Sequence, residues 1–173
     1  MKKPQRIRVL GTSGSGKTYI AKELSKGLKI KYYDLDDIFW IKKYTKKAPK
    51  HKRKEKAEDL TKRRKWVIEG IYGDWSISSF KKSDLVIWLD PPFRIRSWRI
   101  FRRFLRRKSD KNIEEGWKDC FGLIKYSGKY KRKNNNGSGS YKSHREIINK
   151  HKINFIILRN KKQINKFLRD ILK

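Results

Sequence analysis

Short apolar runs alternate with helically spaced segments along most of the chain. Ile7–Leu10 (Ile-Arg-Val-Leu) is a brief apolar run ending in Gly11. From Lys17 to Leu28, Ile20, Ala21, Leu24 and Leu28 recur at helical spacing. Ile30–Leu35 reads as a second strand, and Trp66–Glu69, closed by Gly70, as a third. Leu85–Leu89 (Leu-Val-Ile-Trp-Leu) is the clearest buried strand, stopped by Asp90-Pro91-Pro92. Phe93–Arg107 has amphipathic helical periodicity, with Ile95, Trp98, Phe101, Phe104 and Leu105 on its apolar side. Ser143–His151 predicts a short helix, Ile153–Leu158 a fifth strand and Gln163–Leu172 a closing helix. Continuous apolar strands alternating with helices indicate an α/β fold with a parallel sheet covered on both faces. In such sheets the ligand lies at the carboxyl ends of the strands.

Two stretches break the pattern. Lys42–Lys65 is polar and strongly basic, with Ala57 and Leu60 its only mid-segment apolar pair, so any helix there is exposed. Residues 108–140 read as loop, and Asn134–Ser140 (Asn-Asn-Asn-Gly-Ser-Gly-Ser) as a low-complexity, flexible part of it. The length of 173 residues suits one domain.

Composition adds charge to this picture. There are 49 Lys+Arg against 17 Asp+Glu, a formal net charge of +32. Such a balance concerns partners rather than fold, and favours polyanions such as nucleotides and nucleic acid. Coding bias toward Lys, Ile and Asn accounts for part of it but not for the shortage of acids. No apolar run reaches membrane-spanning length. Met1-Lys-Lys-Pro leads into a strand rather than a secretory segment. Cys120 is the single cysteine, which excludes a disulfide framework and a cysteine-based zinc site. His51, His144 and His151 are scattered and read as surface residues. A cytoplasmic protein, monomeric or weakly dimeric, is the expectation.

The candidate chemistry starts after the first strand. Gly11-Thr12-Ser13-Gly14-Ser15-Gly16-Lys17-Thr18 fits G-x-x-x-x-G-K-[ST] at every fixed position. Glycines let successive N–H groups turn toward one anion, and the helix beginning near Lys17 adds its positive end. Lys17 then reaches the β- and γ-phosphates and the Thr18 hydroxyl ligates Mg²⁺. The nucleotide-binding set expected here is Gly11, Ser13, Gly14, Ser15, Gly16, Lys17, Thr18 and Tyr19, with ATP or GTP as ligand.

A kinase also needs an acceptor site, a carboxylate near Mg²⁺ and cations for the transferring group. Asp34-Leu35-Asp36-Asp37 follows the second strand, and Asp36 or Asp34 binds an acceptor hydroxyl or acts as base, unless they only cap a helix near Ile38. Glu69 follows the third strand, either holding Mg²⁺ through water or ending the strand in solvent. Asp90 reads as a turn residue. Arg99, Arg102, Arg103 and Arg106 lie on neighbouring turns and can converge on one phosphate-bearing ligand, or else form a solvated face. Arg159 follows the fifth strand, where a nucleotide base can be met.

In their order along the chain these segments resemble the adenylate-kinase-like P-loop kinases, and more closely the proteins called "DNA topology modulation protein" (FlaR-type). The residues carrying the resemblance are 11–18, Tyr-Asp-Leu-Asp-Asp-Ile-Phe-Trp at 33–40, Trp-Val-Ile-Glu-Gly-Ile-Tyr-Gly at 66–73, Asp-Leu-Val-Ile-Trp-Leu-Asp-Pro-Pro at 84–92, Trp-Arg-Ile-Phe-Arg-Arg at 98–103 and Ile-Ile-Leu-Arg-Asn-Lys-Lys at 156–162. The resemblance implies a P-loop fold with sheet order 2-3-1-4-5, an acceptor-binding segment at 37–65 and a mobile lid at 108–140. It matches Asp36 to the acid of a Leu-Asp-x-x-Phe-Trp motif, while Glu69 departs from the usual Asp-Gly.

Two functions follow as expectations. The first is transfer of the γ-phosphoryl group of Mg-ATP to a nucleoside monophosphate or a hydroxylated metabolite, with Lys17, Asp36, Arg99 and Arg103 acting in catalysis. The second is a nucleic-acid-binding P-loop ATPase or regulator, supported by the charge and the basic stretches 42–65 and 94–108. A monophosphate acceptor calls for an arginine in the acceptor segment, which offers Arg53, Arg63 and Arg64.

Overall fold

A computed structural model describes residues 3–42, 45–108 and 116–173. Five strands form one sheet: β1 (Arg6–Leu10), β2 (Tyr32–Asp34), β5 (Trp66–Gly70), β6 (Leu85–Leu89) and β7 (Phe155–Leu158). All pairings are parallel and the order is β2-β5-β1-β6-β7. Counting only sheet strands, that is the expected 2-3-1-4-5. A separate antiparallel hairpin, β3 (Trp40–Lys42) with β4 (Lys46–Lys47), has no counterpart among the expected elements; β4 falls inside the polar stretch and β3 reaches only its first residue, and no alternation marks a strand there.

Alternation within each central strand sends side chains to two different layers. Ile7, Val9, Val67, Ile87 and Leu89 pack against α1 (Lys17–Leu28) and α8 (Lys161–Leu172) through Ile20, Leu24, Ile164 and Leu168. On the opposite face Leu10, Val86 and Trp88 meet Phe80 of α4 (Ile77–Lys81) and Ile148 of α7 (Tyr141–Lys150). Trp66 and Ile68 meet Leu35, Trp75 and Ala57 of α3 (Lys50–Lys62), with the short α2 (Asp36–Phe39) alongside. As the sequence implies, α3 buries little, only Ala57 and Thr61.

The loop-like reading of 108–140 does not hold for its described part. Trp117–Lys129 is a helix, α6, with the Asp119 carboxylate accepting the Gly116 N–H at 2.9 Å. It packs on α5 (Phe93–Lys108) through Ile100, Phe104 and Cys120. Residues 109–115 lie outside the described part. Asn134–Ser140 forms turns, and the Ser140 hydroxyl caps α7 by accepting the Ser143 N–H.

The apolar side of α5 also needs correction. Phe104 is buried, but Ile95, Trp98 and Leu105 are exposed, and the residues facing inward include Arg96 and Ile100. Arg96 turns inward because it has partners there. Its Nε donates to the Ser127 hydroxyl and its terminal nitrogens to the carbonyls of Ser127 and Pro91, all at 3.0–3.2 Å.

Candidate functional site

The loop between β1 and α1 bends at Gly14 (φ 76°) and Gly16 (φ 97°), in the left-handed region that favours glycine. Gly14 is also pressed against α5: a Cβ there would stand 2.5 Å from the Arg96 carbonyl oxygen. Arg99, one turn along α5, donates to the Ser15 carbonyl at 2.9 Å, and the Ser127 hydroxyl of α6 donates to the Ser13 carbonyl at 3.2 Å. The phosphate loop is thus held from outside by α5 and α6. Lys17 Nζ donates to the Thr12 carbonyl at 3.3 Å.

Glu69 is the penultimate residue of β5, on the α1 side of the sheet, and only 2% of it is exposed. Its Oε1 accepts from the Thr18 hydroxyl at 2.5 Å and from the Tyr32 hydroxyl at 3.0 Å, while Oε2 lies 4.0 Å from Lys17 Nζ. The longer glutamate therefore does reach the P-loop threonine. Burial and the Glu69 charge push the Tyr32 phenol well above its ordinary range.

Asp34 is the register partner of Glu69 on the neighbouring strand β2, and Asp36 follows two residues later. The Asp36 N–H donates to Asp34 Oδ1 at 2.9 Å, and the Tyr72 hydroxyl donates to Asp36 Oδ1 at 2.6 Å. Burial, with the Glu69 carboxylate next, pushes Asp34 up to about 6. A cleft of about 640 Å³ joins these parts. Its donor side has Ser13, Gly14, Gly16, Lys17, Thr18 and Glu69. Asp34, beside Glu69, leads from there to Asp36, Phe39, Trp40, Lys47, Ile71 and Tyr72, while Arg99, Arg103, Leu123 and Tyr126 line it from α5 and α6.

Of the remaining expected residues, Gly11 and Ser15 are buried in the loop, and Ser15 Oγ has no hydrogen-bond partner. Tyr19, Arg102 and Arg106 are exposed and do not line this cleft. Convergence of all four α5 arginines is thus not seen: Arg99 and Arg103 line the cleft, Arg102 and Arg106 do not. Arg159 lines a second cavity of about 420 Å³, shared with Asp90, Pro91, Arg99, Lys131 and Asn160. Asp90 is not a mere turn residue. Its buried carboxylate takes Lys131 Nζ at 2.6 Å, with Arg159 at 3.7 Å and Arg96 at 3.9 Å.

Three groups escape the sequence reading. Tyr72 sits two residues past β5, where inspection beyond the strand end would have reached it. Arg8 is fully buried in mid-strand and donates to the carbonyls of Val9, Ile68, Gly70 and Tyr72 at 3.0–3.3 Å, shaping the turn that carries Tyr72. Burial lowers its pKa to about 9. His144, expected at the surface, is fully buried. Trp88 Nε1 donates to the Tyr130 hydroxyl at 2.9 Å, so that hydroxyl gives its own proton to His144 Nδ1 at 3.0 Å. Nε2 then carries the ring proton and donates to the Ile71 carbonyl at 2.6 Å.

No protein-family model matches the chain. The protein YqaC of Bacillus subtilis (strain 168) is 34% identical over 113 residues, 65% of this chain and 64% of that protein. The cytidylate kinase of Pyrococcus furiosus is 31% identical over 111 residues, 56% of each chain. The chain thus spans about three fifths of the length of the curated relatives it matches. Among solved structures, shikimate kinase from Acinetobacter baumannii in complex with shikimate superposes with a TM-score of 0.58 and 19% identity, covering 97% of this chain and 90% of that one. A gluconokinase from Sinorhizobium meliloti 1021 gives 0.56 with 10% identity, covering 99% and 91%. Fold and site together define the P-loop α/β fold shared by these small-molecule kinases.

Proposed function

We propose that the chain is a Mg-ATP-dependent phosphotransferase that moves the γ-phosphoryl group onto a small acceptor, a nucleoside monophosphate or a hydroxylated metabolite. The observation that carries this reading is the meeting of Thr18 and Glu69 at 2.5 Å beside Lys17, with Asp34 and Asp36 lining the same cleft. A hydroxyl and a carboxylate are hard oxygen donors of the kind Mg²⁺ takes alongside substrate phosphates. Thr18 would hold the ion directly and Glu69 through water, and when bound it neutralises charge on the β- and γ-oxygens. The loop N–H groups and the α1 N-terminus take the phosphates. Lys17, Arg99 and Arg103 face the transferring group, and Asp34 and Asp36 hold the acceptor.

The names borne by similar proteins (shikimate kinase, gluconokinase, cytidylate kinase) agree on phosphoryl transfer and differ on the acceptor. The finer placement beside the FlaR-type proteins rests on the ordered sequence segments alone. A cytoplasmic location belongs to the same proposal; among the described residues no helix is long and apolar enough to cross a membrane.

The test is ADP release from Mg-ATP across a panel of nucleoside monophosphates and hydroxylated metabolites. Acceptor-dependent turnover is expected, and Lys17→Ala should lower it at least about a hundredfold, the scale of losing one charge-stabilising donor. A second reading, a nucleic-acid-linked ATPase, is favoured by the exposed basic surfaces of α3 and α5. Slow turnover indifferent to every small acceptor but stimulated by DNA or RNA would select it instead.

A further inference from the structure

We infer that the acceptor presents a hydroxyl as nucleophile and carries no phosphate: it is a hydroxylated compound with a flat or apolar body, as in a free nucleoside or a cyclic polyol. The inference rests on the phosphotransferase reading and narrows its acceptor.

The first observation is where the acceptor segment's arginines point. A phosphomonoester carries nearly two negative charges at pH 7 and is best held by a guanidinium fork. Arg53 instead lies over the rings of Phe39 (4.6 Å) and Trp75 (5.7 Å). Arg63 lies over Tyr33 at 5.4 Å, and Arg64 is exposed. None of the three lines the cleft, and among the described residues of that segment Lys47 is the one cation that does. On the α5 wall, Arg99 is tied to the Ser15 carbonyl of the phosphate loop, and Arg103, one turn further along, is assigned with it to the transferring group.

The second observation is the acids. An acceptor phosphate is already an anion at neutral pH, so it gains nothing from a base and is repelled by carboxylates. Asp34 and Asp36 both line the acceptor side, each fixed through its Oδ1, by the Asp36 N–H and the Tyr72 hydroxyl respectively. A hydroxyl, by contrast, must lose its proton, and a carboxylate within reach takes it. In the step, the acceptor oxygen bonds to the γ-phosphorus as its proton passes to Asp34. The bond from that phosphorus to the β–γ bridging oxygen breaks, and ADP leaves with the electron pair.

The third observation is the wall. Phe39 stacks on Tyr72 with centroids 4.6 Å apart, and Ile71, Leu123 and Tyr126 continue the surface. Such a lining takes a ring or an apolar face.

The experiment compares matched pairs, nucleosides with their 5′-monophosphates and cyclic polyols with their phosphate esters, by ADP release from Mg-ATP. A hydroxylated member should exceed its ester by at least about tenfold in kcat/KM, the scale of a charged hydrogen bond unmade. Asp34→Asn should abolish that turnover while Mg-ATP still protects the protein thermally. Arg53→Met, which keeps the packing, should leave KM for the preferred acceptor within about twofold, since no charged hydrogen bond to the acceptor is removed. A preferred ester, or a tenfold rise in KM in Arg53→Met, overturns the inference and leaves the kinase standing. Turnover of neither series, with protection by Mg-ATP intact in the wild type and lost in Lys17→Ala, overturns it too and leaves only nucleotide binding. Absence of that protection overturns the phosphotransferase reading itself.

Discussion

Asp34 sits at the C-terminal end of an edge strand, yet it faces three other acids: Glu69, its register partner on the neighbouring strand β5, and Asp36 and Asp37 on its own turn. The Tyr32 phenol hydrogen-bonds Glu69 nearby, Lys17 Nζ lies 4.0 Å from Glu69, and the charges of both Glu69 and Asp34 act on the buried Arg8. Because the folded carboxyl titrates near 6 rather than 3.8, turnover that needs it ionised should rise with pH, with a midpoint near 6 in kcat/KM. The stability effect has the opposite sense. Between about 4 and 6 the folded state holds a proton that the unfolded state has released, so this group's contribution falls as pH rises. Asp34→Asn keeps the acceptor for the Asp36 N–H and should be no less stable above pH 6, while losing activity about a hundredfold or more, the range of general-base effects. An unchanged pH profile in the variant would remove Asp34 from the chemistry. Gly14 gives a complementary test. Its positive φ and its approach to Arg96 leave no room for a methyl group, so Gly14→Ala should weaken nucleotide binding and destabilise by about 1–3 kcal/mol in a urea melt. An unperturbed variant would mean that the loop and α5 separate freely.

The elements behind the cleft are coupled through buried polar groups that no periodicity announces. The sheet, its order and the P-loop are readable because apolar strands and glycines leave local marks. Helix α6 is not, since it holds two glycines and buries only Cys120 and Ser127, so its stripe is too thin to register. The inward side of α5 is hidden for a related reason: Arg96 is buried by its partners on α6, which lies far away in sequence. The site divides the same way. Lys17, Thr18, Asp36, Glu69, Arg99 and Arg103 stand where strand ends and helix phase place them, whereas Tyr72 and Arg8 depend on a turn that only tertiary contacts define. His144 shows what such coupling predicts. Burial, opposed by its bond to the Ile71 carbonyl and aided by Arg8 and Lys17, brings it down to about 4. Below pH 6.5 the unfolded chain takes up a proton the folded one refuses, so stability should rise with pH between about 4 and 6.5, by roughly 3 kcal/mol for a shift of this size. The Asp34 contribution runs against it over part of that window. His144→Gln should therefore flatten the acid side of a urea-midpoint profile while lowering stability at pH 7. If the slope survives the substitution, the Trp88–Tyr130–His144 chain does not set it.

At the scale of the whole molecule, the net charge of +32 is distributed unevenly. Glu69, Asp90, Asp34 and Asp36 lie in the interior or the cleft, but so do cations such as Arg8, Arg96 and Lys17, so the outer surface carries nearly the whole positive excess. The cations crowd on α3 and α5, which expose most of their length. On α5 they flank exposed Trp98, with Trp117 and Phe121 of α6 alongside. Self-repulsion of this kind destabilises the compact state and is relieved by screening or by bound anions. Thermal stability should accordingly rise with added salt, and single-stranded DNA or heparin should be retained at low salt and released as salt increases. The arginines of α5 allow the two uses of this charge to be separated. Arg99 and Arg103 line the cleft, whereas Arg102 and Arg106 stand outside it. If the outer pair serves the surface, Arg102→Ala/Arg106→Ala leaves KM for ATP nearly unchanged. It also lowers the salt slope of single-strand binding by roughly 0.7 for each phosphate that is no longer neutralised. If the pair reaches into the nucleotide site when the cleft closes, KM rises and the slope stays. The first outcome is expected, because a guanidinium outside the cleft must displace the α5–α6 packing at Phe104 and Cys120 before it can reach the phosphates.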